Sequence, residues 1–449
     1  MTTINFTKQE MQTVQELLRE DTRPVPPVLF EQSMTDLGTA EILPKVFFDK
    51  DYHDLEVEKL WKKVWQWACR EEDIPEVGDH VVYDIADLSV LVVRSATNEI
   101  RAFYNACLHR GTQLRATSGK VQAFRCPFHG WTWKLDGTLA HIPCRWDFEH
   151  VDNDAFRLPE LKVATWQGFV FINFDLNCEP LEVYLENIPE HFKHFPLENH
   201  FTAVHVAKVM PANWKVTLEA FMEAYHSVTT HPQILTFTGD ANSQYDVYGR
   251  HNRMITPFAV QSPHLGIQLD QQALAEAIAK FGGGDPAMVQ VPEGMTARAY
   301  AAQAARQRIQ ENLNIDCSAL SDTEMIDAIQ YFIFPNFMPW AGVGAPLQFR
   351  FRPNGNDPNS SIMDVLLLQP CRPEMRPPSA KAHWLTPEES WTNAPELGGL
   401  GRVFDQDTSN LRRIQQGLKT FGKRSITLGK YQESRIQHFH QILERQLAL

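Results

Sequence analysis

Two kinds of hydrophobic spacing divide the 449-residue chain. Near the N-terminus apolar positions recur at helical spacing. Met11, Val14, Leu17 and Leu18 share one stripe of residues 7–19, with Thr7 as N-cap, and Leu55, Leu60 and Val64 share one face of residues 52–66. Between them Arg23-Pro24-Val25-Pro26-Pro27 ends the first helix and begins an extended arm. That arm either wraps a neighbouring subunit or lies on the surface. From about Asp79 the period drops to two: 81–83, 89–93, 100–104 and 121–125 are short β-rich runs broken by turn residues. Residues 132–139 form a hairpin turning at Asp136-Gly137. The pattern predicts a helix and arm over 1–44 and an all-β domain over 45–165.

A buried strand over 163–174 opens a second domain, 166–449. Its pattern predicts helical structure over 180–195, a strand over 205–210, and a helix over 213–226 rich in Ala, Glu, Leu and Met. That helix weakens at the β-branched residues 227–230 and cannot easily pass Pro232. Antiparallel strands are expected over 329–334, 347–352 and 362–368, and a Pro-rich loop over 370–395. Helices follow over 404–420 and 432–446, the last with Ile436, Phe439, Ile442 and Leu443 inward. An Ala- and Gln-rich helix pair over 270–310 is broken by Gly282-Gly283-Gly284-Asp285-Pro286. This inserted segment, 270–325, is a lid over a substrate channel on one reading and a plain surface insertion on the other. The fold class is α+β, without internal repeat.

Composition narrows the function. The formal charge of −13, with no run of Lys or Arg, argues against nucleic acid as a partner. Five of the seven cysteines, Cys69, Cys144, Cys178, Cys317 and Cys371, show no paired spacing and are expected as small buried hydrophobes in a reducing compartment. No basic leader opens the sequence and no run of about eighteen apolar residues occurs, so a cytoplasmic enzyme without a membrane span is expected.

The other two cysteines carry the chemistry. Cys107-Leu108-His109-Arg110-Gly111 and Cys126-Pro127-Phe128-His129-Gly130-Trp131 each pair a thiol with an imidazole. Two Cys and two His could hold a tetrahedral zinc or a [2Fe–2S] cluster with Cys on one iron and His on the other. Zinc sites usually group like with like; here each half is mixed, which suits two metals with different ligands. Further on, His226 and His231 could supply two ligands of a 2-His-1-carboxylate site for non-haem Fe(II). A five-residue step on an ideal helix turns the side chain about 140° away, so a bend is needed between them. Asp405 and Asp407 are candidates for the carboxylate.

The paired motif, with its Arg110-Gly111 and Gly130-Trp131 flanks, closely resembles the Rieske motif of ring-hydroxylating oxygenases. The resemblance extends through Asn213-Trp214-Lys215, Tyr225-His226, His231 and Phe334-Pro335-Asn336 to the C-terminal helix. It implies a terminal oxygenase: Cys107, His109, Cys126 and His129 on a [2Fe–2S] cluster, and His226, His231 and Asp407 on a mononuclear iron. Asp407 is preferred over Asp405 because the family's ligand stands eight residues before a Gln, here Gln415. The resemblance also implies that the acid three residues before His226 links it to His129 of another subunit. That acid is Glu223 here, where many members have Asp, and Ala220 stands where the family has Asn.

An α3 or α3β3 assembly is implied, fed with electrons from NADH or NADPH by a separate reductase, directly or through a ferredoxin. O₂ is the co-substrate. The expected substrate is a small aromatic or polycyclic molecule, cis-dihydroxylated; hydroxylation or N-/O-demethylation by a monooxygenase is the alternative. A pure electron-carrying Rieske protein would need only the first domain, and a zinc-dependent binding module or hydrolase would need no cluster.

Overall fold

The computed structural model describes residues 12–343 and 347–448. Its contacts divide the chain into two compact units: residues 53–184 with 353–357, and the remainder.

The first unit is built on a seven-stranded antiparallel sheet. Its strand order is Gln66–Arg70, Phe169–Asn173, Glu160–Trp166, Glu99–Tyr104, Leu88–Ala96, Asp79–Ile85 and Gly119–Lys120. A second sheet of three short strands, Phe124–Arg125, Thr132–Trp133 and Leu139–His141, carries the predicted hairpin. The domain boundary expected at 165 is displaced. Gln167 and Gly168, both at positive φ, make a two-residue turn. That turn returns Phe169–Asn173 along Glu160–Trp166, so this strand closes the first unit instead of opening the second. Its other neighbour, Gln66–Arg70, is buried at every position and shows no alternation to read.

The second unit holds an eight-stranded sheet ordered Gln244–Tyr248, His251–Thr256, Ala328–Phe332, Phe337–Ala341, Leu347–Pro353, Ser361–Pro370, His200–Met210 and His383–Leu385. The strands over 244–248, 251–256 and 337–341 are additions to the expected set, and His383–Leu385 lies inside the segment read as loop. Against the sheet lies the C-terminal helix Ser434–Leu447, with Ile436, Phe439, Ile442 and Leu443 buried as its stripe requires. Phe439 meets the rings of Trp214 and Phe332 edge-on at 5.7 and 5.8 Å.

Two other expectations change, and the course of the arm is defined within the chain. The N-terminal helix runs Val14–Glu20 behind a capping box of Thr13 and Glu16; Thr7 and Met11 lie outside the described residues. The arm after it lies on its own chain: the Arg253 guanidinium donates to the carbonyls of Val28 and Glu31, and Asp322 accepts from Thr22. Of the five unpaired cysteines only Cys69 and Cys317 are buried, and Cys144 is exposed. Among the described residues no helix is long and apolar enough to cross a membrane.

Candidate metal centres

The two Cys/His loops are built alike. In each, a glycine at positive φ, Gly111 or Gly130, donates its N–H to the carbonyl of the cysteine four residues earlier. The cysteine N–H is in turn received by the carbonyl of Thr112 or Trp131. A residue with a Cβ is strained at such φ, which accounts for glycine at both places. The loops therefore present their side chains in register. The two thiols touch each other, and the two imidazole rings lie 4.8 Å apart. Backbone N–H groups of His109 and Arg110 point at Cys107 Sγ, and those of Phe128 and His129 at Cys126 Sγ. Such bonds are a known lever on cluster potential. Both cysteines belong to the apolar core around Phe103, Phe124, Trp131 and Trp133, whereas His129 is exposed. Trp131 stacks parallel on His109 at 5.0 Å; the sequence shows this residue only as a motif flank.

In space the two thiols sit together and the two imidazoles sit together. Among the described residues, the group of three or more metal-ligating atoms that converges to within 4.8 Å is elsewhere. Cys beside Cys and His beside His is the donor set of a two-iron cluster with different ligands on each iron.

That other group is His226, His231 and Asp407. The expected helix over 213–226 stops at Glu219, with Ala220 as its C-cap. The chain then turns, and His226 and His231 flank the single turn Ser227–Thr230. This break supplies the bend that the spacing requires. Asp407 arrives from the last turn of the helix Leu400–Thr408, which begins four residues earlier than expected and ends before a second helix, Leu411–Lys419. Both imidazole Nε2 atoms meet Asp407 Oδ1, His231 at 2.5 Å and His226 at 3.2 Å. Asp405, two residues earlier, points elsewhere: it accepts from the Trp391 N–H at 2.8 Å and from the Ser390 hydroxyl.

The outer partners are equally definite. Glu223 gives both oxygens to His226, one to Nδ1 at 2.7 Å and one to its N–H at 2.9 Å. His231 Nδ1 lies 3.1 Å from Gln406 Oε1, and Gln406 is locked to Gln233. Nothing in the sequence but adjacency to Asp407 marks Gln406. Gln415 does not approach the metal group. It accepts from the Asn213 N–H at 2.9 Å and so fixes the residue that caps Trp214–Glu219.

Burial would lower the His226 imidazole, but Asp407 and Glu223 outweigh it and raise it to about 10. Burial would likewise raise Asp407, yet the two imidazoles hold it below the usual carboxylate value. The site is thus one that calls for a cation. Two imidazoles and one carboxylate on one side, with second N–H groups engaged, fit a non-haem iron with open positions.

All three side chains, with Glu223 and Ala220, line a cavity of about 660 Å³. Its wall is mainly apolar, with Phe221, Met254, Phe349 and Phe404 prominent. The inserted helices Gln271–Phe281 and Ala297–Leu313 supply one side through Ala275, Ile278, Ala301 and Ala305. Phe221 lines the cavity, whereas Met222, Leu235, Phe237, Phe332 and Phe337 do not. The others pack in the buried core.

A β unit with paired Cys/His loops, and a unit with an iron-type triad beside an apolar cavity, are the parts of a protein with two metal centres. The chain belongs to the ring hydroxylating alpha subunits. The description "Ring hydroxylating alpha subunit (catalytic domain)" matches residues 190–449, and "Rieske [2Fe-2S] domain" matches residues 64–156. Its cofactors are accordingly a Rieske [2Fe–2S] cluster and a mononuclear non-haem iron.

The chain is 32% identical over 193 residues to the carnitine monooxygenase oxygenase subunit of Acinetobacter baumannii, covering 42% of this chain and 52% of that one. It is 30% identical over 206 residues to the chlorobenzene dioxygenase subunit alpha of a Cupriavidus strain, covering 44% and 46%. The chain thus spans about half the length of the curated relatives it matches. The solved structure of a quaternary ammonium Rieske monooxygenase superposes with a TM-score of 0.66 at 18% identity, over 92% of this chain and 99% of that one, a likeness of fold.

Proposed function

We propose that this chain is the terminal oxygenase of a multicomponent system, acting with O₂ on an apolar aromatic or polycyclic substrate held in the 660 Å³ cavity. The observation that carries the reading is the opening of that cavity directly onto His226, His231 and Asp407. When bound there, the iron supplies oxygen activation at the coordination positions that three protein ligands leave open. The chain's own residues do the rest. Asp407 and the two Nε2 atoms hold the metal, while Glu223 and Gln406 fix the tautomer and plane of each ring. Phe221, Phe349 and Phe404 exclude water and orient an apolar body.

Cys107, His109, Cys126 and His129 hold the cluster in this reading, with the exposed His129 as the ligand nearest solvent. Glu223 is the link between His226 and His129 of a second copy, in an α3 or α3β3 assembly. A separate reductase, directly or through a ferredoxin, supplies electrons from NADH or NADPH. The cavity's size and apolar lining suit a ring substrate, and cis-dihydroxylation is the first reading. Monooxygenation, including oxidative N-demethylation, is the second reading, favoured by the carnitine monooxygenase relative.

The deciding experiment is product analysis with labelled O₂ across aromatic, polycyclic and quaternary ammonium substrates, using iron-loaded protein and an added reductase. Two labelled oxygens in a ring diol support dihydroxylation. One labelled oxygen, or loss of a methyl group, supports the second reading. A protein that holds zinc and lacks the cluster absorption overturns both.

A further inference from the structure

The residues lining the cavity sort by exposure. His231, Phe221, Phe349 and Phe404 are buried at one extreme, whereas Phe281, Asp285, Met288 and Arg308 are exposed and form the mouth. Among the described residues that line the cavity, Arg308 is the one Lys or Arg.

Its position follows from the helix Ala297–Leu313. Ala301, Ala304, Ala305 and Arg308 all line the cavity, spaced i, i+3, i+4 and i+7, so one stripe of this helix faces it. Three methyl groups leave room, and the long side chain comes last, at the rim. The helix is anchored at its other end by Arg298, whose guanidinium grips Asp327 through two bonds of 2.8 and 2.9 Å in the buried core. Arg308 is therefore carried on a fixed element. Its neighbour Arg306 is committed to Asp322 and the Leu320 carbonyl. Arg308 makes no hydrogen bond or ion pair with the described residues.

The carboxylates of the lining each accept hydrogen bonds. Asp407 meets both metal-facing imidazoles, Glu223 spends both oxygens on His226, and Asp285 caps the Ala287 N–H. Asp285 keeps its charge at the same rim, and Arg308 is the one Lys or Arg among the described residues of the lining, at the edge of an apolar chamber sized for a drug-like molecule. Its planar fork matches a carboxylate bidentately.

We infer that the substrate is an amphipathic anion, a ring system bearing a carboxylate, and that Arg308 receives the carboxylate at the mouth while the apolar body extends toward the metal. The inference rests on the cavity being the substrate site of the oxygenase proposed above. It predicts weaker binding of a matched cation, which cannot pair with the Arg308 guanidinium.

The test is equilibrium binding of three matched probes, naphthylacetate, naphthylethanol and naphthylethylammonium, to the iron-loaded full chain, read by protein fluorescence. The acid is expected to bind about tenfold tighter than the alcohol, as one charge-assisted pair at a partly wet rim would give. Arg308→Gln brings the acid-to-alcohol ratio to about one, and Arg308→Lys retains part of it, keeping charge without the fork. Binding of none of the three, tightest binding of the cation, an acid that binds no better than the alcohol, or an undiminished ratio in Arg308→Gln each overturns the inference. Product analysis separates it from the reading beneath it. An anion preference lost in Arg308→Gln, in a chain that oxygenates nothing, keeps the inference and sinks the oxygenase. Oxygenation of all three probes at one affinity does the reverse.

Discussion

Gln406 Oε1 lies 3.1 Å from His231 Nδ1, and the residue that follows it, Asp407, meets the other nitrogen of the same ring. One helical turn thus sets both edges of one imidazole. Replacing Gln406 with Leu removes the outer acceptor and frees the ring to rotate. Iron affinity is expected to fall about 10–100-fold, the usual cost of losing such a partner. Chelator titration with metal analysis checks this, and the cluster absorption serves as the internal control, since no cluster ligand is touched.

Glu223 differs in what it should disturb. Glu223→Gln keeps the shape and one acceptor toward His226 but removes the charge. Both metal centres are expected to remain while turnover falls at least about tenfold. Single-turnover reoxidation of the reduced cluster locates the loss in electron delivery. Normal turnover in this variant would sink the link to a second copy.

Asp405 and Asp407 give opposite signatures. Asp407→Ala should abolish mononuclear iron, because it removes the carboxylate on which both Nε2 atoms converge. Asp405→Ala should keep the iron but lose about 1–2 kcal/mol of stability, since the Trp391 N–H and the Ser390 hydroxyl lose their acceptor. Iron content and the urea midpoint together separate the two. Iron loss in Asp405→Ala alone would reverse the assignment.

The sheet of the second unit carries a pH-sensitive tie. Asp364 is buried among His205 Nε2 at 3.0 Å, Arg350 Nε at 3.1 Å and Arg352 Nε at 3.3 Å. Burial opposes its ionisation, but the two guanidiniums and the imidazole hold its carboxyl well below the usual range. A carboxyl depressed in the folded state adds stability above its unfolded value of about 4 and loses it as pH falls toward the folded value. The urea midpoint should therefore decline below about pH 4 in the wild type. Asp364→Asn should cost about 3–5 kcal/mol at neutral pH and flatten that decline.

The mixed Cys/His motif was legible because its pattern is local: Cys and His sit two or three residues apart on tight glycine-closed loops. His226 and His231 were legible as a pair, and the need for a bend between them could be stated from helix geometry alone. The place of the bend could not. Residues 213–226 have helical composition throughout, yet tertiary packing ends the helix at Glu219 and propensity yields to it. The strand Phe169–Asn173 was legible as a strand but not by owner, because a two-residue turn and its partner Gln66–Arg70 decide which sheet it joins.

By itself, then, the sequence determined the kinds of donor this protein has and the approximate strands and helices that carry them. Periodicity and ligand chemistry are properties of neighbours along the chain. Family spacing pointed to Asp407, but only the tertiary structure brought it onto both histidines, put Gln406 behind one of them, and made Arg308 the lone Lys or Arg among the described residues lining the cavity. Each of these joins residues about 80 to 180 positions apart, and such meetings are set by sheet order and helix docking, for which no local pattern is the cause.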